Sequence, residues 1–272
     1  MSVRPTPSTL LFVPGDRPER FDKAVASGAD AVIIDLEDSV PAANKATARS
    51  AVVSWLASHQ AFVRVSPAGT DECAADLEML SSAEGVSALV LPKAESPDDV
   101  DHLLERVKLQ TQVVALIESA AGLAAAAAIA AHPAVALLGF GNLDFAADCG
   151  MTVESPRELE LLPARAHLVH VSRAAGLPGP IDGVTPDVSN DDAVLEDSLR
   201  AARLGYSGKL CVHPRQVPVV AGAFAPSPEQ VDWANRILAS VAEGVALVDG
   251  AMVDRPVILR ARNILARAGR PG

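Results

Sequence analysis

Eight short apolar runs alternate with stretches of helical character along this chain, and that alternation restricts its possible folds more than any other feature. The clearest runs are Val113-Val114-Ala115-Leu116-Ile117 and Val135-Ala136-Leu137-Leu138-Gly139. With no polar position in either, they read as strands covered on both faces, the condition of a parallel sheet. The same reading places strands at Thr9–Val13, Ala31–Leu36, Ala61–Val65, Ser87–Leu91, Ile181–Val184 and Lys209–Val212. Helices are predicted at Arg17–Ala26, Asn44–Ser58, Asp71–Leu80, Pro97–Val107, Ala120–Ala131 and Asp191–Leu204. Several open with Asp, Asn, Ser or Pro, which suit a helix start. Eight βα units predict an α/β fold of the (β/α)8 TIM-barrel type, which usually takes roughly 250 residues; an open doubly wound sheet is the alternative.

The pattern changes near Phe224. Ala225-Pro226-Ser227-Pro228 ends one element and starts a helix running to about Glu243, and residues 244–250 read as a turn or short hairpin. Asp254 then caps a last helix that opens with Arg255-Pro256 and ends near Ala268. The expected organisation is a catalytic barrel over residues 1–223 and a C-terminal helical extension over residues 224–272.

Composition narrows the function classes. Hydrophobic residues make up 49% of the 272 but aromatics only 3%, so the core is expected to pack from small and branched side chains. A formal charge of −11 argues against nucleic acid or anionic membrane as partner, and an anionic ligand would need a local basic cluster. Cys73, Cys149 and Cys211 show neither disulfide nor metal-type spacing, and there is no leader-like or membrane-spanning run. A reducing, cytoplasmic setting is expected.

In a parallel barrel the functional groups gather where strands run into the following loops. Glu118 follows one of the two clearest strands and Asp144 the other, so both are expected at one mouth, where hard carboxylate oxygens suit Mg²⁺ or Mn²⁺. The plain alternative for each is a helix cap or a solvated charge. Asp35, Glu37 and Asp38 form a third acidic cluster that would repel itself without a cation or arginine nearby. They are expected to border the same metal, to cap a helix or to pair with arginine. Arg64 lies in the otherwise apolar run Phe62–Val65, where a guanidinium is costly unless it faces an anion. It either clamps a substrate carboxylate or pairs with the Asp35–Asp38 cluster. Arg17, Arg20 and Lys23 recur every third residue after the Pro14-Gly15 turn, either to dock phosphates or as a solvated face. Lys93 offers a rival Schiff-base chemistry, and His213, before Pro214, is either a base or a structural histidine.

In this order, Phe12-Val13-Pro14-Gly15-Asp16-Arg17-Pro18-Glu19-Arg20, Ile34-Asp35-Leu36-Glu37-Asp38-Ser39-Val40, Leu91-Pro92-Lys93-Ala94-Glu95, Leu116-Ile117-Glu118-Ser119-Ala120-Ala121-Gly122, Val212-His213-Pro214 and Met252-Val253-Asp254-Arg255-Pro256 resemble a known family. It is the citrate lyase beta-subunit-like group of the HpcH/HpaI aldolase superfamily, which includes malyl-CoA and citramalyl-CoA lyases. The resemblance implies a Mg²⁺-dependent lyase that breaks or forms a carbon–carbon bond beside a coenzyme A thioester, yielding an acyl-CoA and an α-keto acid. It implies Glu118 and Asp144 as metal ligands, with Glu118 also at the substrate, and Arg64 on the substrate carboxylate. It further implies Phe12, Arg17 and Lys23 on the acyl-CoA, and Asp254 as an acid/base presented by a neighbouring subunit of a homotrimer or dimer of trimers. One departure stands out: many relatives carry an acidic residue directly before the second ligand, where this chain has Leu143. A beta subunit working within a citrate lyase complex, a thioester hydrolase, a metal-dependent aldolase on free keto acids and a non-catalytic CoA-binding protein are the alternatives.

Overall fold

The structure is a computed structural model that describes residues 6–81, 83–107, 111–154, 158–242, 247–248 and 251–269. Two compact units divide it, Thr6–Val220 and a C-terminal unit from Ala221. In the first, strands β1 (Thr9–Pro14), β2 (Ala31–Asp35), β3 (Ala61–Arg64), β4 (Val86–Leu91), β5 (Gln112–Ile117), β6 (Val135–Phe140), β7 (Ile181–Asp182) and β8 (Gly208–Cys211) pair in parallel with their neighbours in chain order. β8 then returns to β1 through the register Leu10↔Leu210, which closes a barrel and excludes the open sheet.

Side-chain alternation sorts this barrel into two layers. Leu10, Ile33, Val90, Val114, Leu116, Leu137, Ile181 and Leu210 meet in one buried cluster, joined by Phe12 and Phe62. Because that cluster draws on every strand, it is the barrel interior. Counting two residues onward from Ile33, Phe62 and Leu116 gives Asp35, Arg64 and Glu118, so the same alternation carries these charges into the barrel mouth.

The helices are α1 (Phe21–Val25), α2 (Lys45–Leu56), α3 (Asp71–Leu80), α4 (Pro97–Glu105), α5 (Ala120–Ala130), α6 (Asn142–Asp148), α7 (Leu162–Ala174), α8 (Asp191–Leu204) and α9 (Gln216–Phe224). Ser96 opens α4 with a reciprocal capping box, while Thr70, Ser119 and Asn190 cap α3, α5 and α8. The predicted helix from Arg17 is corrected: a 3-10 turn at Pro18–Arg20 precedes a five-residue α1, and Arg17 lies before both. Three helices have no counterpart among those predicted. α6 is too short to show a period, and α7 hides its own because Arg165 and Ser172 share its buried face with Leu168 and Val171.

β7 ends two residues before the predicted Val184. The backbone there leaves the ladder for a side chain: Val184 N–H donates to Asn142 Oδ1 at 3.0 Å, and its carbonyl accepts from Asn142 Nδ2 at 3.1 Å. Asp182 and Lys209, on the outer layer of β7 and β8, are matched in register and buried. Arg165 of α7, with no exposed surface, donates from Nε to Asp182 at 2.7 Å and pairs with Glu158, while Lys209 Nζ donates to the Gly183 carbonyl at 2.6 Å. Burial opposes the charge on Asp182, but Lys209 and Arg165 outweigh it and hold the carboxyl below its usual range.

The C-terminal unit contains α10 (Pro228–Ala242), β9 (Leu247–Val248), β10 (Ala251–Met252) and α11 (Arg255–Ala268). Ala234 and Ile237 of α10 pack on Ala261 and Ile264 of α11, and Arg260 stacks over the Trp233 ring at 4.8 Å. The hairpin predicted across 244–250 falls partly outside the described residues; what is described pairs Leu247 with Met252, both strongly exposed. Among the described residues no helix is long and apolar enough to cross a membrane.

Removing one member of a buried ion pair strands the other, at a typical cost of about 3 to 5 kcal/mol. Arg165→Leu is therefore expected to lower the urea midpoint sharply, with loss of that order in unfolding free energy. A midpoint within experimental error of wild type would refute the role given to the Arg165–Asp182 pair.

Candidate active site

A cavity of about 290 Å³ opens at the end of the barrel where β1, β2, β3, β5, β6 and β8 run into their loops. It is lined by Phe12, Asp35, Asp38, Arg64, Glu118 and Asp144, so the barrel brings together six of the residues singled out from the sequence. Room for Glu118 comes from a residue that has no side chain. A Cβ at Gly141 would lie 2.4 Å from Glu118 Cγ, and one at Gly139 would lie 2.4 Å from Leu116 Cδ2. These two glycines occupy consecutive inward positions after Leu137 on β6, and β5 fills the space they leave.

Arg64 is the centre of charge. Its Nε and Nη2 hold both oxygens of Asp35 at 2.7 and 2.8 Å, a bidentate fork, and its Nη1 lies 2.9 Å from Glu37 Oε2. The ring of Phe12 supports the guanidinium from 4.8 Å. The ion-pair alternative for Arg64 is thus present, and it uses part of the fork that a substrate carboxylate would share. Burial alone would discharge Arg64, but the hydrogen bonds and charge of Asp35, then Glu37 and Glu118, hold its pKa above the ordinary value. Asp35 also accepts from the Glu37 and Ser39 N–H groups, and its carboxyl stays low despite burial because Arg64 outweighs it.

Glu37 sits behind the cavity wall, its Oε1 accepting from Lys93 Nζ at 2.6 Å. Its own carboxyl is pushed up, first by burial, although Arg64 and Lys93 oppose the shift. Lys93 adopts a left-handed backbone, φ 49°, uncommon for a residue with a side chain. That turn aims its N–H at Glu118 Oε2, 3.1 Å away, while its ammonium reaches Glu37 and lies 3.7 Å from Asp38. Burial would lower the Lys93 pKa, yet Glu37, Asp38 and Glu118 raise it. A Schiff-base lysine needs the opposite shift, so the geometry does not favour that chemistry.

Glu118 is 4% exposed, and its carboxyl is pushed up to about 7, first by burial and then by the charges of Glu37 and Asp144, against the pull of Arg64 and the Lys93 N–H. Asp144 lies in the first turn of α6 and is exposed to the cavity. A cation between them would relieve the repulsion that raises Glu118, so the pair fits a divalent ion. Among the described residues no group of three or more His, Cys, Asp or Glu forms a cage, and two carboxylates with open positions are what Mg²⁺ commonly takes.

Within the barrel unit, Arg17, Lys23 and His213 fall outside the cavity lining. Arg17 is exposed at the β1–α1 connection, 3.8 Å from Asp16, and Lys23 is exposed on α1. His213 Nδ1 accepts from the Arg215 N–H at 3.2 Å, the structural reading. Asp254, in the C-terminal unit, caps α11 by accepting from Val257 N–H at 3.1 Å. Sequence reasoning missed Asn142. It is buried, lines the cavity directly before Leu143 and Asp144, and ties the start of α6 to Val184, just after β7, and to Glu158, just before α7. Its signal was the Gly141-Asn142 pair after a buried strand, where an amide can replace a missing ladder partner.

Known proteins share this architecture. The model of the HpcH/HpaI aldolase/citrate lyase family matches residues 8–214. A citrate lyase subunit beta-like protein of Mycobacterium tuberculosis is 37% identical, the match covering 99% of this chain and 98% of that protein. A (3S)-malyl-CoA thioesterase of Cereibacter sphaeroides is 31% identical over 96% of this chain and 94% of its own. The crystal structure of protein CitE from M. tuberculosis in complex with magnesium, acetoacetate and coenzyme A superposes with a TM-score of 0.85 at 35% identity, covering 98% of this chain and 100% of that one.

A carboxyl at about 7 in the folded state and 4.5 in the unfolded chain takes up protons on folding. The stability this gives is complete below pH 4.5 and is lost as pH rises through 7. For metal-free protein, Glu118→Gln should flatten that part of the pH–stability curve and raise the Tm at pH 8, the difference being on the order of 3 kcal/mol. An unchanged or lowered Tm at pH 8 would contradict the strain assigned to Glu118.

Proposed function

The chain belongs to the HpcH/HpaI aldolase/citrate lyase family, and from that premise we propose that its barrel mouth is a Mg²⁺-dependent carbon–carbon lyase site for a 3-hydroxy-dicarboxylic acyl-CoA such as malyl-CoA or citramalyl-CoA. The observation that carries the reading is the pairing of buried Glu118 with Asp144 at one cavity that also holds Arg64. Glu118 and Asp144 would hold the ion, which when bound supplies a Lewis acid and a template for the oxygens of the keto-acid half.

In the cleavage direction the substrate hydroxyl loses its proton, the bond between the carbinol carbon and the thioester α-carbon breaks, and its electron pair passes to the thioester as an enolate. The α-carbon then takes a proton, giving an acyl-CoA and an α-keto acid. Arg64, anchored by Asp35, turns its remaining N–H donors toward the substrate carboxylate; anchoring lowers the reorganisation that binding would otherwise require. Phe12 and Leu116 wall the same space and limit water around the enolate. The proton transfers need an acid/base beyond these groups, and we assign it to Asp254 of a neighbouring subunit in a trimer or dimer of trimers. The exposed Leu247–Met252 pair just before Asp254 supports that assignment, since two large apolar side chains on a hairpin are stabilised by being covered. Arg17 and Lys23, exposed and basic, suit the phosphates of coenzyme A.

A thioester hydrolase is the second reading, favoured by the 31% identity to the malyl-CoA thioesterase. Incubating malyl-CoA and citramalyl-CoA with Mg²⁺ separates the two. The lyase releases keto acid together with acyl-CoA and stops with chelator, whereas a hydrolase releases free CoA and no keto acid. Asp254→Asn should fold and assemble, because Asn caps a helix about as well as Asp, yet be nearly inactive. Mixed with inactive Glu118→Gln, it should regain part of the activity through hybrid sites. Full activity in Asp254→Asn would rule out the shared site. Arg64→Lys, unable to keep the fork on Asp35, is expected to lose at least about tenfold in kcat/KM; a near-normal rate would remove Arg64 from the mechanism.

A further inference from the structure

The cavity is divided by chemistry. Asp35, Asp38, Glu118 and Asp144 supply four carboxylates, while Arg64 is the only cation among the described lining residues, and its fork is already closed on Asp35. A divalent ion would lessen this negative excess but not cancel it. Most of the remaining wall is apolar, Phe12, Leu116, Leu143, Val184, Leu210 and Val212; its polar members are Ser39, next to Asp38, and Asn142, whose amide already donates to Glu158 and the Val184 carbonyl. Leu143 is decisive because it stands beside Asp144, is 49% exposed, and can neither donate nor accept a hydrogen bond. Lys93, the nearest other cation in the network, is tied to Glu37 and lies outside the lining.

We propose that this wall selects a 2-oxo acid bearing an alkyl group, pyruvate or a slightly longer homologue, and rejects one bearing a second carboxylate, as oxaloacetate does. The proposal rests on reading the mouth as a thioester lyase site, and names the keto-acid half that the site takes. One carboxylate on the keto acid can be met by the bound ion and by Arg64. A second would enter a region of like charge with no counter-ion, and Leu143 beside Asp144 offers it no hydrogen bond, so it stays without a charged partner. An alkyl group gains from the same surface: burying one methyl group is worth roughly fourfold in affinity.

The test is calorimetric titration of the Mg²⁺-loaded protein with glyoxylate, pyruvate, 2-oxobutyrate and oxaloacetate, alongside condensation of each with acetyl-CoA. Pyruvate is expected to bind about fourfold tighter than glyoxylate and at least about tenfold tighter than oxaloacetate. Leu143→Lys, at an exposed position where folding is not at stake, should shift the oxaloacetate-to-pyruvate affinity ratio upward by about tenfold. Oxaloacetate binding as well as pyruvate would overturn the proposal, and an unchanged ratio in Leu143→Lys would overturn the part given to Leu143. Selective binding without condensation would instead sink the lyase reading while supporting the selectivity. If no 2-oxo acid binds, both fall.

Discussion

One guanidinium among five carboxylates is the constraint around which this barrel mouth is organised. Asp35, Glu37, Asp38, Glu118 and Asp144 come from three strand ends, and at close quarters their mutual repulsion would hold them protonated or apart. Arg64 offsets part of it by gripping Asp35 with two parallel hydrogen bonds and reaching Glu37, while Lys93 takes the other Glu37 oxygen. What stays uncompensated is concentrated on Glu118, whose carboxyl sits near 7. The site is thus short of positive charge where Glu118 and Asp144 line the same cavity, an electrostatic setting that suits a divalent cation.

Neutralising charge is not sufficient unless the groups are also held in place, and here the backbone does much of the holding. The left-handed turn at Lys93 directs an N–H at Glu118, and Lys45 on α2 donates to the Leu36 carbonyl at 2.6 Å, anchoring the chain just before Glu37. The absent side chains of Gly139 and Gly141 let Leu116 and Glu118 enter the barrel at full length. An alanine at position 141 would collide with Glu118 itself, so the inward reach of that carboxylate is set by its neighbour strand.

A second charged system lies in the outer layer. Arg165, Asp182, Lys209 and Glu158 share buried ion pairs, and through Glu158 the system reaches Asn142 and hence the turn that carries Asp144. Such networks are stabilising only when every member is present, so they define one arrangement of α7 against β7 and β8 more than they add to stability. None of this was legible in advance. Arg165 lies in a stretch for which the sequence predicted no element, and nothing local in Asp182 or Lys209 announces that they face one another.

The sequence by itself determined the eight-strand barrel, the strand ends that bear Glu118, Asp144 and Asp35, and the place of Arg64, because hydrophobic periodicity and strand alternation are local properties. It left open whether Arg64 faced Asp35, a substrate or both, and it supplied no reason for β7 to stop at Asp182 or for Lys93 to turn left-handed. Those were decided by the tertiary structure. Asn142 and Val184, Arg64 and Asp35, Lys93 and Glu118 are separated by more than twenty residues and meet only when the sheet closes. Closure is what brings charges from different strands within hydrogen-bonding distance, and their energies depend on that distance and on the water it excludes, neither of which a linear pattern contains.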